Sequence, residues 1–320
     1  MHFLKKTHKQ NLMGLFDIFK KQKKYQLPEM YNGIITKDEY NEILEICIKY
    51  HQDNGLIISK IDEGEIVTDI EGEEQHRYLD NLVRVLASYE KTIWSQLVYE
   101  HFDKLKPNRS ALNYLYKDFE YASQFLRVLL KEDTFNLGDH VENYVHRVDF
   151  PKTNTFLILE FEEQFHYIRK DEIIEWEKLE HELFEIAIEN LPENKVEVKE
   201  YKFGEKYTVF IFFSGDFSAS LMLDLENRAD YSIGKFGTLI AIPTKGTAYA
   251  HPIENGELLA LIEILDPTIE QFYNEDPGNI TTNFYWYHND EIQIFPTEQS
   301  EKGLLISMPK DLLKLLNEDE

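Results

Sequence analysis

Apolar and polar positions alternate with a helical period over much of the first third of the chain. Tyr40, Ile43, Leu44, Cys47 and Ile48 lie on one face of a helix that opens at Thr36-Lys37-Asp38-Glu39. That tetrapeptide has the capping-box spacing, a hydroxyl first and Glu three residues later. Asn54-Gly55 closes the helix, because glycine accepts the left-handed turn used at helix ends. Leu56–Ile61 and Glu65–Ile70 are short β-branched runs about Asp62-Glu63-Gly64 and predict a hairpin. The 3.6-residue period then runs from Leu79 through Leu86, Trp94 and Phe102 to Leu105, where Pro107 stops it. It returns from Leu112 to Leu130. Two antiparallel helices joined by Lys106–Ser110 are expected.

Beyond Leu137 short strands dominate. Thr155–Phe161 and Gln164–Arg169 read as strands, and Asp171–Asn190 as a helix. Val196–Tyr201 and Tyr207–Phe213 flank Gly204. Phe217–Leu225 predicts a helix capped by Asp216. Thr238–Pro243 and Thr247–Ile253 flank Lys245-Gly246. Glu257–Leu265 is a short helix with a turn after Pro267. Phe284–His288 and Glu291–Phe295 flank Asn289-Asp290, and Pro309 opens a last helix through Leu316. Strands arrive in hairpins, without the alternation of a parallel sheet. The fold class expected is α+β, a helical N-terminal part packed on largely antiparallel sheets with flanking helices. Three segments follow: a basic tail over 1–28, a mainly helical part with a small hairpin over 29–135, and an α+β domain over 136–320. The boundary is placed near residues 132–150.

Composition narrows the class. Hydrophobic residues make up 42% and aromatic ones 13% of the 320 residues, enough for a real core. No run reaches the ~18–20 apolar residues of a membrane span. The formal charge of −25 repels phosphate backbones, so no nucleic-acid partner is expected. The same charge suits a basic protein partner. The single cysteine, Cys47, sits in the apolar stripe of a helix and reads as a small buried hydrophobe. A reducing cytoplasm fits.

Residues 1–24 break the charge pattern. Seven lysines against Asp17 alone give this tail a net +6 and leave −31 for the rest. Leu12, Leu15, Phe16 and Phe19 share one face of a short amphipathic helix. No small-residue cleavage site follows, so a signal peptide is not expected. Were Met13 the start, Ile18 would stand where myristoylation wants Ser or Thr. Two readings stay open: membrane contact or groove binding by residues 9–24, or a frayed, solvated tail.

No motif survives as chemistry. His140, His146, His166 and His181 lack zinc-ligand spacing, and Glu185 stands where a second His would complete His181-Glu182-Leu183-Phe184-Glu185 as a zinc-protease pattern. Gly215-Asp216-Phe217-Ser218-Ala219-Ser220 lacks the second glycine of a hydrolase elbow, so Ser218 and Ser220 read as first-turn helix residues. Gly234-Lys235-Phe236-Gly237 leads into a strand, whereas a phosphate cradle needs a helix N-terminus. Asp224, Glu226, Arg228 and Asp230 read as a solvated helix end with a salt bridge. No catalytic, cofactor-binding or metal-ligating residue is assigned, and no cofactor is implied.

Tyr167-Ile168, Glu172-Ile173-Ile174-Glu175-Trp176, Glu182-Leu183 and Ala187-Ile188-Glu189-Asn190-Leu191 resemble the YtpQ-like bacterial family of unknown function. Asp216-Phe217-Ser218-Ala219-Ser220-Leu221 and Leu239-Ile240-Ala241-Ile242-Pro243 are similar to two further segments of it. The resemblance covers about residues 130–295. It departs at the basic tail and at Thr244-Lys245-Gly246. It implies a cytoplasmic α+β protein and no activity. Three functions are therefore carried forward. The first is a non-catalytic protein-binding module with an acidic surface, immunity-like in one form. The second is a hydrolase-type enzyme without a short motif. The third is a peripheral membrane protein anchored by residues 9–24.

Overall fold

The computed structural model describes residues 25–70, 73–104, 115–135, 140–161, 164–192, 195–204, 206–300 and 303–319. It is an α+β fold, and each strand pair among the described residues is antiparallel. No described helix is long and apolar enough to cross a membrane. The chain divides into two compact units, Met1–Lys106 and Pro107–Glu320. Of the expected tail, 1–28, residues 1–24 lie outside the described residues, while Tyr25 and Leu27 pack against the first unit's core and the Tyr25 amide donates to Asn41 Oδ1 at 2.7 Å.

In the first unit, helix α1 (Lys37–Asp53) carries the expected capping box: the Glu39 amide donates to Thr36 Oγ1 and the Thr36 amide to Glu39 Oε2. Strands β1 (Ile57–Asp62), β2 (Glu65–Ile70) and β3 (Glu73–Tyr78) form a three-stranded sheet in that order. Helix α2 (Asp80–Ala87), a 3-10 turn (Lys91–Ile93) and helix α3 (Trp94–Lys104) complete it. The expected continuous helix from Leu79 to Leu105 is thus broken after Ala87. The Trp94 indole explains the break: its Nε1 donates to the carbonyls of Leu86 (2.8 Å) and Tyr89 (3.1 Å), satisfying groups that a helix end leaves open. Ile43, Leu44, Cys47, Leu82, Val98 and Phe102 lie in one buried cluster. Burial pushes the Cys47 thiol well above its ordinary pKa, so it behaves as a hydrophobe.

The second unit begins well before the expected boundary at 132–150. Residues expected to complete a helical pair instead form a short helix α4 (Phe119–Ser123) and strand β4 (Leu126–Glu132). β4 pairs along seven residues with β6 (Thr153–Phe161), from Leu126 opposite Leu159 to Glu132 opposite Thr153. Leu126, Leu129 and Leu130 have helical spacing, but Val128, Leu129 and Leu130 are all buried. A strand covered on both faces loses its alternation and mimics a helix. β5 (His146–Arg147) and β7 (Gln164–Tyr167) also pair with β6.

The expected helix over Asp171–Asn190 is also shorter. A 3-10 turn (Ile174–Trp176) and Glu177 in the left-handed region (φ 49°) precede α5 (Glu180–Glu189). Trp176 turns inward, its Nε1 2.8 Å from the Tyr116 carbonyl. Next come β8 (Glu197–Phe203), β9 (Tyr207–Phe213), α6 (Ser218–Leu221), α7 (Leu225–Arg228), β10 (Thr238–Thr244) and β11 (Thr247–Pro252). They are followed by α8 (Leu258–Glu275), β12 (Phe284–His288), β13 (Glu291–Ile294), a hairpin of β14 (Thr297–Ser300) and β15 (Gly303–Ile306), and α9 (Lys310–Asp319). Six strands form one sheet in the order β13-β12-β10-β11-β9-β8. Its central strand has two apolar faces. Ile240 and Ile242 join the core containing β4 and β6, while Leu239 and Ala241 meet Leu261, Ile262 and Leu265 of α8. α8 continues past Pro267, where a turn was expected. Pro267 and Glu263 are exposed, so water can serve the carbonyl that loses its partner.

Candidate functional site

Two clusters of the second unit carry unusual chemistry. The first is the ledge from Asp171 to Glu189, where eight acids accompany Lys178 as the one Lys or Arg. Its left-handed bend turns two large apolar side chains outward: Ile174 is 72% exposed and Leu179 62%. Exposed acids Asp171, Glu175, Glu177 and Glu180 surround them in sequence. Asp171 pairs with Arg169 at 3.3 Å, and Lys178 lies 5.3 Å from the Phe119 ring. Among the described residues, no ion pair neutralises Glu175, Glu177, Glu180 or Glu185.

The ledge is firmly held. Glu182 caps α5 by accepting from the Leu179 amide at 2.8 Å. Asn190 Nδ2 donates to the Ser123 carbonyl at 2.7 Å. Glu172 accepts from the Arg169 amide at 2.8 Å, and burial raises its pKa above the ordinary value. Leu183, Phe184 and Ala187 bury the inner face of α5 in the core. An apolar pair on a rigid acidic support is suited to docking, since the support spends no ordering entropy on binding.

The second cluster joins the end of β4 to the β10–β11 turn. Lys245 Nζ lies 2.5 Å from Asp216 Oδ1 and 5.5 Å from the Phe165 ring centre. Its stem crosses Gly278, where an added Cβ would meet Lys245 Cγ at 2.7 Å. Lys131 Nζ sits 4.6 Å over the Phe135 ring. Burial, then the neighbouring Lys245, lowers its pKa to about 8, against the opposing pull of Asp216, Glu132 and Asp276. Such an amine has the protonation chemistry of a base or nucleophile. Of the two best-formed concavities among the described residues, neither is lined by Lys131 or Lys245. One, beside Val196, Phe212 and Arg228, holds about 80 Å³, and the other, beside Tyr249 and Leu265, has no room for a water. Ligand pockets generally span roughly 300–1,000 Å³. Lys245 ties neighbouring loops together: its side chain pairs with Asp216, its amide donates to the Gly278 carbonyl and its carbonyl accepts from the Ala219 amide.

The structure disperses the other motifs. Ser218 and Ser220 do sit in the first turn of α6, but Asp216 is not the cap. Ser214 Oγ accepts from the amides of Phe217 (2.8 Å) and Ser218 (2.9 Å), leaving Asp216 to Lys245. Ser218 and Ser220 are fully buried, with hydroxyls donating to Ser214 Oγ and the Val128 carbonyl. Gly234 and Gly237 exchange two backbone hydrogen bonds of 3.0 Å and pin the loop against Ile253. Arg228 is more than a solvated helix end: it pairs with Asp224 at 2.8 Å and donates to the carbonyls of Ile188 and Glu189. No group of three or more His, Cys, Asp or Glu among the described residues is placed to hold a metal ion. Sequence reading missed the ledge because a continuous helix would have put Ile173, Trp176 and Leu179 on one buried face. In the structure only the first two are buried. It missed the lysines because they are 114 positions apart. Compared with family models, curated proteins and solved structures, the chain matches none.

Proposed function

We propose that this protein is a non-catalytic, cytoplasmic binding module whose acidic surface engages a basic protein partner, and that Asp171–Glu189 is the contact. The observation that carries the reading is the exposure of Ile174 and Leu179 beside Glu175, Glu177 and Glu180, which form no ion pair among the described residues. Burying one such side chain contributes about 1.5–3 kcal/mol. The surrounding acids add steering and select against acidic competitors. The occupant is a lysine- or arginine-rich segment presenting an apolar side chain. Immunity-like masking of a cationic protein is one form this takes, and kinship with the YtpQ-like family is part of the same proposal. The test uses a synthetic lysine-rich peptide carrying two leucines, in fluorescence anisotropy. Binding should weaken at least about tenfold on raising salt from roughly 50 to 300 mM. It should weaken similarly in I174S/L179S but not in the pair E254Q/E257Q, which lies outside the ledge. Equal loss in both pairs, or none in the first, would sink the ledge as the site.

The enzyme alternative draws on Lys131, whose amine loses its proton near pH 8. The membrane alternative rests on residues 9–24, outside the described residues.

A further inference from the structure

Arg77 is 8% exposed, although no carboxylate pairs with it among the described residues. It lies opposite Ile66 in the β2–β3 ladder and points into the first unit between α1 and α3. A buried guanidinium without a counter-ion is costly, so such groups are almost always paired. Arg77 approaches the Phe102 ring at 6.0 Å, and His51 and His101 pack on the same ring at 4.7 and 5.2 Å. Arg77 Nε, His51 Nε2 and His101 Nε2 are all buried and have no hydrogen-bond partner. His51 is fully buried, and its Nδ1 is already bound to the Cys47 carbonyl at 2.7 Å. His101 is half-buried and is the most exposed of the three. In a chain of net −25, three basic side chains with idle nitrogens share one ring, and no acid among them.

We propose that Arg77, His51 and His101 form a binding site for a phosphate group, either the free ion or the end of a small phosphate ester. The guanidinium supplies forked donors that match phosphate oxygens. Because His51 Nδ1–H serves Cys47, its Nε2 offers a lone pair when neutral. It therefore takes a proton from, or accepts the P–OH of, the incoming monoanion. The charged and titratable groups facing the cluster are Arg77 and Tyr50, with Cys47 on α1 and Lys104 on α3. Tyr50 Oη is turned to Asp103 at 3.0 Å. Burial first, and then Arg77, hold both histidines below their ordinary pKa. Phosphate binding thus takes up protons and tightens as pH falls.

The test is titration of the full chain with inorganic phosphate, methyl phosphate and acetate at constant ionic strength. It is followed by calorimetry and by the imidazole nitrogen resonances of His51 and His101. Inorganic phosphate should move both Nε2 signals and bind about three- to tenfold tighter at pH 6 than at pH 8. Acetate should bind far more weakly. Methyl phosphate binding as well as inorganic phosphate would mark the ester as the source, and exclusion of the ester would mark the free ion. R77M should keep or raise the melting temperature in chloride, because it removes an unpaired buried charge, and should lose the phosphate response. H101Q, at the most exposed of the three, should fold and bind at least about fivefold more weakly. The proposal is overturned if the wild-type histidine signals ignore millimolar phosphate. It is equally overturned if R77M responds like wild type, or if R77M is destabilised in chloride as a purely structural arginine would be.

Discussion

The guanidinium of Arg228 stands 2.8 Å from the carbonyl of Ile188 and closes the C-terminal end of α5. It also reaches the carbonyls of Glu189 and Leu191 and is fixed by Asp224. The last carbonyls of a helix lack partners and carry the negative end of its dipole, so one buried cation answers both needs. Its side chain is 9% exposed, so these are not screened surface contacts. R228A should destabilise the second unit by about 2–4 kcal/mol. R228K should recover less than half of that, because an ammonium cannot span three carbonyls and a carboxylate. Urea unfolding followed by tryptophan fluorescence in a W94F background, where Trp176 and Trp286 of the second unit remain, reports it.

Gly237 is irreplaceable for a reason of backbone geometry. Its φ is +88°, and a Cβ there would lie 2.1 Å from the Tyr287 carbonyl. The loop it closes receives the Trp286 indole on the Phe236 carbonyl at 2.7 Å. G237A should cost about 4 kcal/mol or more. Circular dichroism melts should show the second unit's transition shifted far down or lost. A variant that melts like wild type would contradict the geometry.

What was legible in the sequence follows from how local the cause was. The Thr36–Glu39 capping box is a four-residue signal and appears as read. The turn at Asn289-Asp290 is equally local, and both residues take the positive φ such a hairpin demands. β4 was illegible because the second covering layer that removes its alternation comes from residues far along the chain. β3, Glu-Glu-Gln-His-Arg-Tyr, was illegible because it carries no apolar alternation and pairs through its backbone with β2. The ledge shows the same limit. Its bend depends on Trp176 reaching the carbonyl of Tyr116, sixty positions earlier, and no window along the sequence contains both.

Pro267 offers a stabilising substitution. Proline inside a helix forfeits a hydrogen bond and crowds the preceding turn, at a cost near 3 kcal/mol relative to alanine. Part of that is returned by the restricted unfolded chain, roughly 1 kcal/mol. α8 is eighteen residues long and its inner face is fixed by Leu258, Leu261, Ile262, Leu265 and Ile269. P267A should therefore raise the stability of the second unit by about 1–2 kcal/mol, read as a higher urea midpoint. Loss of stability would mean that the ring itself makes a packing contact.

Lys131 predicts a stability that rises with pH in an alkaline window. Burial, reinforced by Lys245, brings its folded-state pKa to about 8, whereas in the unfolded chain it lies at the ordinary 10.5. Below pH 8 both states hold the proton, and the buried charge is a constant penalty. Between 8 and 10.5 the folded chain has released a proton that the unfolded chain still binds, so unfolding takes up a proton and stability climbs. The buried tyrosines Tyr167, Tyr249 and Tyr285 oppose this at higher pH. Burial raises their folded pKa values above 10, so the unfolded chain ionises first and stability falls. The rise is thus confined to about pH 8–9.5. Urea midpoints of the second unit should increase across that range in wild type. In K131M they should be higher at pH 7 and show no rise across the window, only the tyrosines' decline toward its upper end, since the penalty is absent in both states. An identical slope in K131M would place the titrating group elsewhere, and no slope in wild type would mean that Lys131 keeps its proton in solution.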